Sequence, residues 1–197
     1  MHLKPVLSAF AVLLFVSAAT AEPMHFRVSE IGCPKACTKV LLGEGEIAFT
    51  TAGAFRSVRR KTGALPVLLH SRGGDLPGGL NLGLAFRKTR SSVAVAPGGD
   101  CFSACAFALF GGTERKVHRG GQLGVHQVIF AEDGSDPQGR PTFSEKHSAA
   151  IIGHLIRYAR QMGVSPDVVE IALATPYDEN TIFSSRELKR YGIVTSD

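Results

Sequence analysis

Three short stretches of this 197-residue chain carry residue types that together could cleave an acyl bond. Ser103 stands immediately before Ala104-Cys105-Ala106-Phe107-Ala108-Leu109-Phe110, a run apolar on every side. As a helix that run must be buried. A hydroxyl at its start lies among the unpaired N–H groups of the first turn, where the helix dipole favours a forming anion. Serine is also a preferred N-cap of any helix, so Ser103 needs partners before chemistry follows from it. Gly73-Gly74 supplies one. Glycines after a buried strand let the backbone turn and expose an N–H, the kind of donor that holds an oxyanion. The other partner is His126, alone among the seven histidines in lying within an apolar strand pattern. There an imidazole without a hydrogen bond would be costly. Taken singly, each position has an ordinary structural explanation: a cap, a strand-to-helix turn, a satisfied core histidine.

The elements that must position these residues alternate along the chain. Lys39–Leu42, Glu46–Thr50, Leu65–His70 and Ser92–Ala96 read as strands, and Ala54–Thr62 and Leu80–Lys88 as helices. Gln122–Phe130 reads as a further strand, 131–141 as a polar loop, and Ser144–Gln161 as an amphipathic helix with Ile151, Ile152, Leu155, Ile156, Ala159 and Met162 on one stripe. Ser165-Pro166-Asp167 opens another helix, and Ser184-Ser185-Arg186-Glu187 is a capping box for a last one that Gly192 ends. Strand, helix, strand at this spacing implies βαβ units, an α/β chain with a largely parallel sheet. Its runs are apolar throughout because parallel strands are covered on both faces.

Composition sets the surroundings. Apolar residues at 44% and charged residues at 20% are those of a globular chain, and a net charge of +5 is too small and scattered to announce nucleic-acid binding. The one dense basic cluster, Arg56, Arg59, Arg60 and Lys61, reads as a solvated helix face. Residues 1–21 combine Lys4, a short apolar run from Val6 to Val16 and Ala19-Thr20-Ala21, the pattern of a cleaved secretory signal peptide. The run is shorter than the roughly 20 residues a membrane span needs. The expectation is therefore a periplasmic or secreted product with no stable membrane anchor after cleavage. Residues 22–44 then form an N-terminal cysteine-containing segment and 45–197 the main domain. Cys33/Cys37 and Cys101/Cys105 form two C-x-x-x-C pairs. In an oxidising compartment an even number favours disulfides, and the spacing is wider than the C-x-x-C usual in structural zinc sites, so no metal is expected. Three connectivities are open. Two cysteines on one helix turn are poorly oriented for a bridge, which makes a cross-link from the 33/37 segment to the 101/105 segment attractive.

In order and spacing, Val67-Leu68-Leu69-His70-Ser71-Arg72-Gly73-Gly74-Asp75, Cys101-Phe102-Ser103-Ala104-Cys105 and Gly124-Val125-His126-Gln127 resemble the signature of Clp-type serine peptidases, within the crotonase-like superfamily. Ile182-Phe183-Ser184 through Val194 is similar to that family's closing helix and strand, so the resemblance runs from about Gly45 to Val194. The subgroup it resembles most is that of exported, Clp-like bacterial proteins. The resemblance implies the Clp/crotonase fold, Ser103 as nucleophile, His126 as base, and the N–H groups of Gly74 and Ala104 as oxyanion donors. It implies a peptide or protein substrate, no cofactor and a possible homo-oligomer.

The carboxylate that would orient the imidazole is where the chain departs from the pattern. Counting from either side, the family's aspartate position falls near Ala172 or Pro176, with about four extra residues in 174–180. Asp178 is the candidate orienter and Asp167 a distant second. Related signal-peptide peptidases use a lysine base, for which Lys116 is the nearest residue, but His126 fits the family position better. The 131–143 loop could shape a substrate groove. Outside the cytosol no ATP-dependent unfoldase feeds a peptidase, so substrates would be short or already unfolded. The rival expectation is a catalytically inactive Clp-like binding or assembly module. An acyl-CoA enzyme of the same fold is disfavoured by export away from the CoA pool and by the Ser/His pair.

Overall fold

A computed structural model describes residues 22–33, 36–128 and 145–195. Residues 1–21, expected to be a signal peptide, residues 129–130 of the expected strand and the expected loop at 131–143 lie outside the described residues. The chain is α/β, with elements in the order β1 (His25–Ile31), β2 (Thr38–Glu44), α1 (Thr51–Thr62), β3 (Val67–His70), α2 (Leu76–Lys88), β4 (Ser92–Val95), β5 (Asp100–Phe102), α3 (Ala104–Phe110), β6 (Glu114–Val117), β7 (Gln122–Val125), α4 (Glu145–Gln161), α5 (Asp167–Ala174), β8 (Thr181–Ile182) and α6 (Ser185–Arg190). Five strands form one sheet in the order β1-β2-β3-β4-β6, and three form a second in the order β5-β7-β8. Within the first, only β1 runs antiparallel to its neighbour; β2, β3, β4 and β6 are parallel. Parallel β3, β4 and β6, running from the centre of the sheet to its edge, fit the expected βαβ construction. Residues 25–44 supply two of the five strands, and Met24, Phe26, Val40 and Leu41 are buried with the rest of the core.

Two local departures have physical causes. Glu46–Thr50 is not a strand. Ile47 makes a single rung with the Gly73–Asp75 segment, donating to Gly73 O at 2.7 Å and accepting from Asp75 N at 2.8 Å. The chain then turns, with Thr51 Oγ1 accepting from Ala48 N at 2.9 Å. Helix α2 begins at Leu76, ahead of the expected Leu80, because Asp75 caps it, accepting from Gly78 N at 2.7 Å, and Pro77 fits the first turn. Pro77-Gly78-Gly79 has the composition of a loop, yet its glycines are there for packing. A Cβ on Gly79 would lie within 3.0 Å of Ala104, and one on Gly83 would strike the Tyr158 hydroxyl. These bare positions bring α2 against α3, all seven of whose residues are buried, as the apolar run required.

The C-terminal ends of α3, α4 and α6 converge on one cation. Arg115, only 4% exposed, donates to Phe110 O, Gly112 O, Met162 O, Gly192 O and Ile193 O at 2.7–3.2 Å. Carbonyls at helix C-termini carry negative partial charge, so their dipoles solvate the guanidinium where no carboxylate does among the described residues. Burial, and secondarily the neighbouring Arg87, push its pKa down to about 10. Arg87 joins the hub through Phe110 O and Met162 O.

Both disulfides are local, Cys33–Cys37 and Cys101–Cys105, which corrects the expected cross-link between the two segments. Cys33 and Cys37 are themselves exposed, between β1 and β2, whereas Cys101 and Cys105 are fully buried in the core. The objection to a local bridge assumed one helix turn. Cys101 is in β5 and Cys105 in α3, and the reversal at Ser103 brings their Cα atoms to 5.1 Å, within the normal disulfide range. No helix among the described residues is long and apolar enough to cross a membrane.

Candidate active site

The strand ends assemble the site. Parallel β5 and β7 pair in the register Asp100↔Gln122, Cys101↔Leu123, Phe102↔Gly124. Ser103 and His126 therefore leave the same end of adjacent strands, and Ser103 N donates to Gly124 O at 3.0 Å. The end of β3 arrives alongside, because Ser71 bridges to Cys101: Ser71 N donates to Asp100 O at 2.7 Å and Phe102 N to Ser71 O at 3.1 Å. Buried Ser71 also shapes the glycine turn, its Oγ accepting from Gly73 N at 3.1 Å.

Ser103 occupies the N-cap position of α3 without acting as a cap. Its backbone has φ 55° and ψ −124°, and its side chain makes no capping hydrogen bond. Only one other non-glycine among the described residues, Arg90, has positive φ. A side chain held in so sparsely populated a region costs about 1–3 kcal/mol and persists where the surroundings over-determine it. Here they do. The reversal carries a half-buried hydroxyl that bonds no described residue, beside the free N–H of the first helical residue, Ala104.

Gly73 packs directly on this turn. A Cβ built on it, at φ +110°, would lie 2.8 Å from both Phe102 O and Ser103 Cβ and 3.3 Å from Ala104 N. Gly74, at φ +132°, is exposed, and its N–H bonds no described residue. The glycine turn and the Ser103 turn thus pack directly against each other, with the Gly74 N–H unused by any described residue.

His126 is half-buried, and its Nδ1 lies 2.7 Å from the carbonyl of Gln127. A carbonyl can only accept, so Nδ1 carries a proton, and in the neutral ring Nε2 then holds the lone pair, the tautomer a general base requires. Gln127 is itself pinned to the end of α5, its N donating to Thr175 O at 2.9 Å and its Nε2 to Leu173 O at 2.8 Å. No hydrogen bond joins Ser103 to His126 in this resting arrangement. Asp178 is exposed in the turn after α5 and Asp167 is exposed at its start; neither bonds His126 among the described residues. Lys116 lies in β6, paired with Ala94 in the other sheet. The tie from the imidazole to the next residue's carbonyl was not anticipated from the sequence, since no spacing rule announces it.

No protein-family model and no curated protein sequence matches the chain. Solved structures do. The chain superposes on a variant of the 1510-N membrane-bound stomatin-specific protease with a TM-score of 0.58 at 17% identity, covering 76% of this chain and 73% of that one. A second variant of that protease, in complex with a substrate peptide, gives 0.56 at 15%, covering 76% and 69%. ClpP1 from Listeria monocytogenes gives 0.54 at 18%, covering 76% and 84%. At these identities the likeness is one of fold, and the fold is the Clp-type, crotonase-like one.

Proposed function

We propose that this chain, with its Clp-type fold, is an exported, peptidase-like serine hydrolase acting through an acyl-enzyme. The reading is carried by one observation: an uncapped hydroxyl on a strained turn at Ser103, at the same strand ends as an imidazole whose Nδ1 is already tied to a carbonyl. In the proposed reaction His126 Nε2 takes the Ser103 Oγ proton as Oγ attacks the substrate carbonyl. The N–H groups of Gly74 and Ala104 hold the oxyanion. The tetrahedral adduct collapses, the leaving group takes the proton from the imidazolium, and water activated by His126 then releases the acid. Ser103 and His126 need to close to about 2.6–3.2 Å on binding, a tightening usual between resting and substrate-bound enzymes.

Peptides are the proposed substrates, on the analogy of the peptide-bound structural neighbour. Export follows in this reading from the 1–21 pattern and is supported by two disulfides, which persist in oxidising compartments. A fluorophosphonate probe tests the chemistry. Wild-type protein is expected to label, and Ser103→Ala and His126→Ala to label at least a hundredfold more slowly; equal labelling of wild type and Ser103→Ala removes Ser103 from the reaction. Asp178 stays in the reading as the candidate orienter. If Asp178→Asn drops turnover by about 10⁴, the carboxylate holds the imidazole; a loss under tenfold leaves that task to the Gln127 carbonyl. No carboxylate among the described residues contacts the imidazole, which favours a second reading, an inactive Clp-like binding module, and an unlabelled wild type would select it.

A further inference from the structure

The Cys101–Cys105 disulfide brackets Ser103, closing a ring of which the serine is the middle residue. It joins the strand before the turn to the first turn of the helix after it, and both cysteines are fully buried. Within the ring the backbone of Ser103 is held at φ 55° and ψ −124°, a conformation an unconstrained serine would leave. Its backbone is otherwise restrained by the bond from Ser103 N to Gly124 O at 3.0 Å and by those to Ser103 O from Ala106 N at 3.0 Å and Phe107 N at 3.4 Å. Hydrogen bonds alone can lengthen and let the turn relax toward negative φ. Such relaxation needs the strand end and the helix start to shift relative to each other, and a covalent link between them resists that shift. We propose that this disulfide is a positioning brace for Ser103: it keeps the hydroxyl presented out of the helix and the Ala104 N–H aligned beside it, so that the reactivity of Ser103 depends on the oxidised pair.

The inference rests on the reading of Ser103 as nucleophile, and a comparison of two bridges tests it. The exposed Cys33–Cys37 bridge serves as the internal control. Fluorophosphonate labelling is followed at 15 °C over a range of probe concentrations, giving a maximal rate and a half-saturating concentration for each protein. For Cys101→Ala/Cys105→Ala, with Cys101→Val/Cys105→Ala filling the vacated volume, the maximal rate is expected to fall ten- to a hundredfold. The half-saturating concentration should change less than threefold and the circular dichroism spectrum remain native. Cys33→Ala/Cys37→Ala should label as wild type does. If the folded 101/105 variants label at the wild-type maximal rate, the bridge contributes only stability and the brace is refuted. Failure of both variants to fold refutes it too, because the bond then holds the domain instead of the turn. A wild type that does not label at all defeats the reading of Ser103 itself, and the brace with it.

Discussion

Replacing Gly73 by alanine tests the architecture of the site most directly, because the cost divides into two parts that a second variant separates. The first part is conformational. Gly73 has φ +110°, where an L side chain is strained by about 1–3 kcal/mol. The second is steric. The new methyl would sit 2.8 Å from Ser103 Cβ and 2.8 Å from Phe102 O, against an ordinary carbon–carbon contact of about 3.5–4.0 Å. Forcing one methyl into a packed site costs about 1–3 kcal/mol. Gly63 isolates the first part: it has φ +79°, and nothing lies within 4 Å of its Cβ position. At about 2–4 °C per kcal/mol for a domain of this size, Gly63→Ala should lower Tm by about 6 °C and Gly73→Ala by about 12 °C. The functional consequence should differ far more. Relieving the overlap moves either Ser103 or the glycine turn by about 1 Å, and a displacement of that size costs about 10² in rate. Labelling of Ser103, measured well below Tm, should therefore slow about a hundredfold in Gly73→Ala and stay unchanged in Gly63→Ala. A folded Gly73→Ala protein labelling at the wild-type rate would refute the claim that the glycine turn and the Ser103 turn form one rigid unit.

Other consequences concern stability. Arg115→Met removes a donor from five carbonyls, of which Phe110 O and Met162 O keep Arg87. At about 1 kcal/mol net each, partly offset by removing a buried charge, the expected loss is about 3 kcal/mol, readable as a drop of about 9 °C in Tm by calorimetry; a shift under 2 °C would contradict the hub. Glu187 sits in the capping box, where hydrogen bonds from the Ser184 side chain and backbone hold its carboxyl below its ordinary pKa. A carboxyl depressed on folding contributes stability above its unfolded pKa and loses it as pH falls through the folded value. Urea midpoints of wild type and Glu187→Gln should accordingly differ at pH 7 and converge at about pH 2; a pH-independent gap would contradict the assignment.

Much of the frame is legible in the sequence because it rests on local rules. Val67-Leu68-Leu69, apolar throughout, reads as a strand covered on both faces, and the all-apolar Ala104–Phe110 as a helix that must be buried; both are so. The capping box at Ser184 was equally explicit. What escaped depends on distant partners. Strands β5 and β6 are three and four residues long, too short for a period to show. Nothing in Glu114-Arg115-Lys116 marks a buried position, yet Arg115 is enclosed by carbonyls at the ends of α3, α4 and α6. Pro77-Gly78-Gly79 reads as a loop until the helix that needs its bare surface is in place. The local pairing of Cys101 with Cys105 was hidden by the unusual backbone of the single residue halfway between them.

That residue also explains why the separate motifs can meet at all. In a parallel pair every residue just past the C-terminal end of one strand lies beside its counterpart on the next. The register Phe102↔Gly124 therefore delivers Ser103 and His126 to one edge whatever the length of chain between them. Had β5 and β7 paired antiparallel, the same two residues would stand at opposite ends of the sheet. Parallel register alone still leaves the serine pointing along its strand. The reversal at positive φ is what turns it out of the strand and starts α3, so that a hydroxyl and a helix N-terminus open on the same space. Gly73 has no side chain because that turn needs the room, and the exposed Gly74 N–H follows from the same bend. Open α/β sheets place their ligand sites at the carboxyl ends of parallel strands for this geometric reason. Here the ends of β3, β5 and β7 each contribute one element of the candidate site: the glycine turn, the serine and the histidine.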